Sequence, residues 1–284
     1  MLDLKKQIDV IEKLIAENTI QSLTYAALEC RLAIESICYE RLKISFDYLA
    51  YKDLRGWQPK YVVEQVVAEA NEMADQEFSL AIAAYKPGKK SPETVEDFED
   101  LKFHNLGKQS KLDLNKLGKL WNAISNVALH VSLPKSKEDE VSNYGNKDKI
   151  LKKVNDVLIE LKGISKGNLI MGQAGKTGLC YTFDCGACGS TIRKSVGLLE
   201  DNQAVNCISP SCMESYIIKK DGDTFTHTRY KQDLACKKCQ TINHIPHNYL
   251  TKFRYGQSLT MVCKECEYKT EMFLQVLVKN YIEE

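Results

Sequence analysis

The feature that most restricts how this chain can fold is a series of eight cysteines near its C-terminal end. They occur as "CGAC" (185–188), "CISPSC" (207–212), "CKKC" (236–239) and "CKEC" (263–266). A Cys-x-x-Cys turn delivers two thiolates to one ion and leaves backbone amides free to hydrogen-bond the sulfurs; two such turns complete a tetrahedron. Taken in order, Cys185, Cys188, Cys207 and Cys212 predict one structural zinc site. Cys236, Cys239, Cys263 and Cys266 predict a second. A four-thiolate site has no open coordination position, which argues against catalytic zinc. Cys180, five residues before Cys185, is a candidate substitute in the first site, whereas His244 and His247 read as surface residues because four thiolates already close the second. The chain begins "MLDLKKQIDV", without the apolar core of a signal peptide, and no apolar run approaches the roughly 18 residues of a membrane helix. The expectation is a cytoplasmic protein that does not enter membranes, a reducing setting in which paired cysteines serve as metal ligands.

The segments around the cysteines, "CYTFDC", "ESYIIKK", "DTFTHTRY", "QSLTMVC" and "KTEMFLQVLVKNY", are rich in β-branched and aromatic residues and bounded by Gly and Asp. They predict short strands, and hence a zinc ribbon at 179–230 and another at 231–284. Charge gives little steering. Residues 1–163 carry 24 Lys and Arg against 26 Asp and Glu (−2), and residues 164–284 carry 15 against 12 (+3). Two zinc tetrathiolates at about −2 each would take the C-terminal part to about −1. Nucleic-acid binding therefore needs local patches. Candidates are Arg193, Lys194, Lys219, Lys220, Arg229, Lys231, Lys237, Lys238, Lys252 and Arg254, interspersed with Tyr216, Phe225, Tyr230, Phe253 and Tyr255. Cations near aromatic rings can hold phosphates and stack bases.

The first 163 residues carry the helical period. Leu4, Ile8, Ile11 and Ile15 line one face of a helix over 2–18. No Pro or Gly interrupts Thr19 to Leu54, where Leu28, Leu32, Ile37, Ile44 and Tyr48 recur at near-helical spacing and predict one long helix. Arg31 and Glu35 stand one turn apart on it, and Cys30 and Cys38 read as core thiols. Pro59 suits the first turn of a helix over 59–85. Residues 86–100 and "LPKSKEDEVSNYGN" read as exposed connections. Asp113 is placed to cap a helix whose buried stripe is Leu114, Leu117, Trp121, Ile124 and Ala128. A last helix spans 147–163, with Gly163 as its C-cap. The expected class is α+β: an all-α bundle over 1–163, a Gly-rich linker over 164–178, and two small β ribbons. Within the linker, "MGQAGKTG" (171–178) imitates the end of a phosphate-binding loop, but Ile170 stands where that loop requires Gly.

The late helix closes on Ser125-Asn126-Val127-Ala128-Leu129-His130. With its helical setting, this segment resembles the HEPN superfamily of four- to five-helix bundles, usually dimeric, many of them metal-independent ribonucleases in toxin–antitoxin, CRISPR-linked and anti-phage systems. The family motif is Arg, typically Asn, three variable positions and His. Asn126 and His130 match it, and Ser125 stands in the place of Arg. The resemblance implies a proton-transfer role for His130 and a phosphate-binding role for the Arg that Ser125 cannot fill. Arg31 or Arg41 of the long helix are the candidates to replace it. The favoured expectation is a nucleic-acid-associated binding module of a bacterial defence or stress-response system, with a degenerate HEPN-like bundle that dimerises or docks partners. One alternative is an endoribonuclease using His130 and Asn126; another is a protein-interaction adaptor that binds no nucleic acid.

Overall fold

The computed structural model describes residues 3–50, 53–54, 58–83, 94–99, 101–131, 134, 136–137, 141, 144–168 and 179–273. The chain divides into two compact units, one of Met1–Leu49 with Leu54–Gly178 and the other of Ala50–Asp53 with Leu179–Glu284. The "MGQAGKTG" segment, Leu133 and the end of the last predicted strand lie outside the described residues.

In the first unit, α1 (Leu4–Glu17) is capped by Asp3 and turns at Asn18, whose left-handed backbone (φ 49°) reverses the chain. A reciprocal capping box between Thr19 and Ser22, both bonds 3.0 Å, starts α2 (Ile20–Ile44). The later helices are α3 (Pro59–Glu69), the short α4 (Val95–Glu99), α5 (Leu114–Ala128) and α6 (Lys147–Ile164). α2 buries Leu23, Ala26, Ala27, Cys30, Ala33, Ile34, Ile37 and Cys38 against Ile8 and Ile11 of α1, the predicted stripe of α5, and Ile150, Val154, Val157 and Leu161 of α6. Small residues on α2 let neighbouring helices approach closely, while burial pushes the Cys30 and Cys38 thiols up to about 12 and leaves them inert. Leu28 and Leu32, which share the predicted apolar period, are exposed instead.

Three helical boundaries differ from expectation. The long helix ends at Ile44 rather than Leu54 and continues as a 3-10 turn (Phe46–Tyr48), which lets Leu49 join a small second core with Val66 and Ala74. The helix predicted over 59–85 stops at Glu69, where Asn71 Oδ1 accepts from the Met73 N–H (3.0 Å) and offers the backbone a turn in place of the next helical bond. Gly163 lies inside α6, and Ser165 is its C-cap. After the Asn71 turn the chain is extended: β1 (Phe78–Ala83) pairs antiparallel with β2 (Phe103–Gln109), with an irregularity at Leu80/Ala81. Among the described residues the N-terminal unit is thus helical with one two-stranded sheet, not all-α.

That sheet is joined to the helices by a buried polar link. Arg41 of α2 is 6% exposed and its Nη1 donates to Gln109 Oε1. Gln109, fully buried, in turn donates from Nε2 to the carbonyls of Gln76 (2.7 Å) and Met73 (3.0 Å). Burial pushes the Arg41 guanidinium down to about 10, while the neighbouring Cys38 and Asp75 act in the opposite sense.

Among the described residues the second unit contains four further sheets, all antiparallel and two- or three-stranded. In the first ribbon, β3 (Cys180–Asp184) pairs with β4 (Thr191–Ser195), and β5 (Ala204–Asn206), β6 (Ser215–Asp221) and β7 (Thr224–Arg229) form the other sheet. In the second, β8 (Lys231–Ala235) pairs with β9 (Ile242–Pro246), and β10 (Ser258–Val262) with β11 (Lys269–Phe273). The six-residue helix α7 (His247–Lys252) joins β9 to β10. The ribbons pack as one unit: Asn248 of α7 donates to Asn206 Oδ1 (2.6 Å) and to the Met213 carbonyl (3.1 Å), and the His247 ring stacks on Tyr230 at 3.8 Å.

Gln109→Ala would leave the Arg41 guanidinium buried without its acceptor. We expect it to destabilise the N-terminal unit by about 1–3 kcal/mol in urea unfolding, the cost of an unsatisfied buried donor; an unchanged midpoint would refute this account of the link.

Candidate metal centres and the helical motif

Each predicted cysteine quartet closes on a single point. The four Sγ atoms of Cys185, Cys188, Cys207 and Cys212 lie within 4.8 Å of one another, as do those of Cys236, Cys239, Cys263 and Cys266. The closest pairs are Cys185–Cys212 at 3.8 Å, Cys188–Cys207 at 3.5 Å, and Cys236–Cys266 and Cys239–Cys263 at 3.6 Å. Disulfides would need about 2.05 Å, whereas a tetrahedral ion with metal–sulfur bonds of about 2.3 Å sets its ligands about 3.8 Å apart. The donor sets therefore fit a four-coordinate metal ion. Cys180 is exposed and belongs to neither quartet.

The backbone shows why these turns can present sulfur pairs. Asp184 faces Thr191, Ala235 faces Ile242 and Val262 faces Lys269, so three knuckles close loops of equal length. In each the first cysteine's carbonyl accepts from the residue after the second cysteine: Gly189 (2.8 Å), Gln240 (2.9 Å) and Glu267 (3.0 Å). Those three residues take left-handed backbone, with φ of 72°, 62° and 57°. Gly189 adopts it freely, whereas side chains at Gln240 and Glu267 bear a cost that the surrounding knuckle must offset. The "CISPSC" loop is two residues longer, with Asn206 facing Ser215, which accounts for its wider spacing.

The surroundings of the two quartets differ. Cys185 and Cys207 belong to a core with Phe183, Ile192, Leu199, Val205, Tyr216 and Ile218. His227 stacks on Phe183 at 3.9 Å, and its Nδ1 lies 2.8 Å from Tyr181 Oη; burial holds this imidazole below its ordinary pKa. In the second ribbon, Cys236, Cys263, Ile245 and Asn243 are buried. Hydrogen bonds prepare individual sulfurs for the metal. Ser190 Oγ lies 3.3 Å from Cys188 Sγ, and this contact, with the Ser190 amide, holds the thiol down at about 6. The amides of Glu265 and Cys266 hold Cys263 at about 6. Thr241 lowers Cys239 in the same way from 3.3 Å.

The ten basic residues do not form one patch. Lys194 is buried, and Arg229 forms a two-pronged pair with Glu214 (3.0 and 2.6 Å). Lys231 is drawn to Asp233 (3.4 Å) and lies 2.9 Å from His244 Nδ1, itself 2.6 Å from Asp233 Oδ1. The Asp233 carboxyl, held by His244, titrates below its usual range. Lys219 donates to Asn202, and Lys220 lies 5.7 Å from the Phe225 ring centre. Arg193, Lys237, Lys238, Lys252 and Arg254 are exposed and form no ion pair among the described residues. Lys252 and Arg254 share the turn between β9 and β10 with Tyr249 and Tyr255, which are 45% and 75% exposed. The stretch 247–257 contains no acidic residue.

In the helical unit, Asn126 and His130 are both exposed, and α5 ends at Ala128, two residues before His130. Ser125 is buried and donates to the Trp121 carbonyl (2.8 Å). Arg31 Nη1 lies 3.5 Å from Ser125 Oγ, while its Nε pairs with Glu35 (2.9 Å) and its guanidinium covers the Trp121 ring at 4.3 Å. Trp121 Nε1 donates to the same Glu35 oxygen (2.9 Å). Of the two candidate replacements, Arg31 is beside Ser125, and Arg41 is committed to Gln109. Nothing in the sequence ranks one arginine over the other, since the contact spans two helices.

No family model, curated protein or solved structure matches this chain. No helix among the described residues is long and apolar enough to cross a membrane.

Protons compete with metal for the thiolates, so affinity falls as pH falls. We expect both ions to be retained at neutral pH and released on acidification, Cys188 and Cys263 being the thiolates of the two quartets that resist protonation most. Elemental analysis after desalting checks this; retention of both ions at pH 4 would refute it.

Proposed function

We propose that this protein is a nucleic-acid-associated binding module in which two structural zinc ions hold the ribbons and the second ribbon presents a platform for single-stranded nucleic acid. Zinc is the favoured ion because four thiolates in a closed tetrahedron suit it and the site needs no redox change; the elemental analysis above also identifies the metal. The observation that carries the reading is the acid-free turn with Tyr249, Lys252, Arg254 and Tyr255 at its surface. Exposed phenol rings offer faces on which unpaired bases stack, and the two cations can follow the phosphates. A duplex hides those base faces, so the platform favours single strands. The helical unit serves in this reading as a dimerisation or docking element of a bacterial defence or stress-response system.

Fluorescence anisotropy with labelled single-stranded RNA and DNA tests the reading. Tyr255→Ala is expected to weaken binding by about 1–3 kcal/mol, the worth of one stacked base. Neutralising Lys252 and Arg254 together should flatten the salt dependence by about 1.4 in log–log slope, two phosphate contacts' worth. Equal affinity for duplex would refute the stacking platform, and no binding at low salt would refute nucleic-acid association and favour a protein adaptor.

A second reading, a metal-independent endoribonuclease, is favoured by Arg31 beside Ser125 with Asn126 and His130 exposed nearby in sequence. Arg31 supplies from α2 the guanidinium that the motif lacks, but Glu35 already balances its charge. If this reading holds, His130→Ala lowers RNA cleavage about 10²–10⁴-fold, as for loss of an acid–base group, and Arg31→Ala lowers it as well. Cleavage indifferent to both changes would exclude it.

A further inference from the structure

We propose that Tyr216 is a positioning residue of the first metal site, using its hydroxyl proton to hold Cys185 Sγ in its coordinating position. The inference rests on the reading of the Cys185 quartet as a metal site and concerns a residue outside the quartet. Tyr216 lies on β6, far in sequence from the knuckle it touches, and is 2% exposed. Its Oη is 2.8 Å from the Gly186 nitrogen and 3.3 Å from Cys185 Sγ.

The direction of these bonds follows from the atoms available. The Gly186 amide can only donate, so Oη accepts from it. The single phenolic proton is then free to point at Cys185, and the sulfur accepts. A sulfur that accepts here is fully satisfied as a metal-bound thiolate, whose charge the bond partly offsets. The ring is held independently of the hydroxyl, edge-on to Phe183 at 5.0 Å and to His227 at 5.5 Å. The hydroxyl therefore arrives on a rigid support, as outer ligands of metal sites do when they orient the inner ones.

The second site provides an internal comparison. Thr241 repeats at Cys239 what Ser190 does at Cys188, both at 3.3 Å. The equivalent of Cys185 is Cys236, which accepts from the backbone N–H of Lys238 at 3.4 Å. Among the described residues no side-chain hydroxyl reaches Cys236, Cys263 or Cys266. Among the described residues the phenol at Cys185 thus has no counterpart at Cys236.

The test uses the full chain loaded with zinc or cobalt, with Tyr216→Phe as the variant because it keeps the ring and removes only the hydroxyl. Competition with a chromophoric chelator is expected to show one of two metal equivalents bound about 10-fold more weakly, the lower end for loss of an outer partner, and the other unchanged. The sulfur-to-cobalt charge-transfer band of that equivalent should shift, a signature that loss of packing alone would not produce. Unchanged affinities and spectra in a folded variant overturn the proposal. Only one equivalent in the parent chain, insensitive to Cys185→Ser, would instead overturn the metal reading of the first quartet. If the variant does not fold, incorporation of 3-fluorotyrosine, which strengthens the donor, is expected to shift one cobalt band, and an unmoved spectrum overturns the proposal.

Discussion

Four sulfur atoms held within 4.8 Å of one another are the constraint on which the C-terminal unit depends. As thiolates they repel, and as thiols they pack poorly; the arrangement is favourable only around a cation. Three of the four sheets described in the ribbons are two-stranded, below the size at which a sheet in water is stable by itself. An ion bound at the knuckles would join hairpin to hairpin and so replace much of a hydrophobic core. The first ribbon supplements it with Phe183, Ile192, Val205, Tyr216 and Ile218. Asn248 and the His247–Tyr230 stack then join the ribbons, which orders the second one's surface turn from below.

The helical unit follows a different logic. Its core depends on small residues along α2, and two buried or half-buried polar clusters link its elements. Arg41 and Gln109 tie the strands to the helices, while Arg31, Glu35, Trp121 and Ser125 form a cluster at the α2–α5 contact. The guanidinium sits on an indole and is paired with a carboxylate, an arrangement that stabilises the helix pair whether or not RNA is ever cleaved.

Legibility in the sequence followed the range of the interaction. Both quartets could be read from spacing because a knuckle is a local structure. The cap at Asp113, the stripe of α5 and the Arg31–Glu35 pair were legible for the same reason. The strand Phe78–Ala83 was less so: Phe78, Leu80 and Ile82 alternate as in a strand, but no Pro or Gly separates them from the helix that begins at Pro59, and their state depends on pairing with residues 103–109. Among the basic residues, composition placed ten in one set, and only their neighbours separated the buried Lys194 and the paired Arg229 from the exposed Lys252 and Arg254.

By itself the sequence determined the two metal-binding quartets and most helix starts, because caps, turns and Cys-x-x-Cys spacings act over a few residues. Tertiary structure alone decided which arginine stands by Ser125, that Tyr216 reaches Cys185, and that the helical unit contains a sheet. Each of these is a contact between distant segments whose geometry is set by how whole elements pack, and no local pattern encodes it.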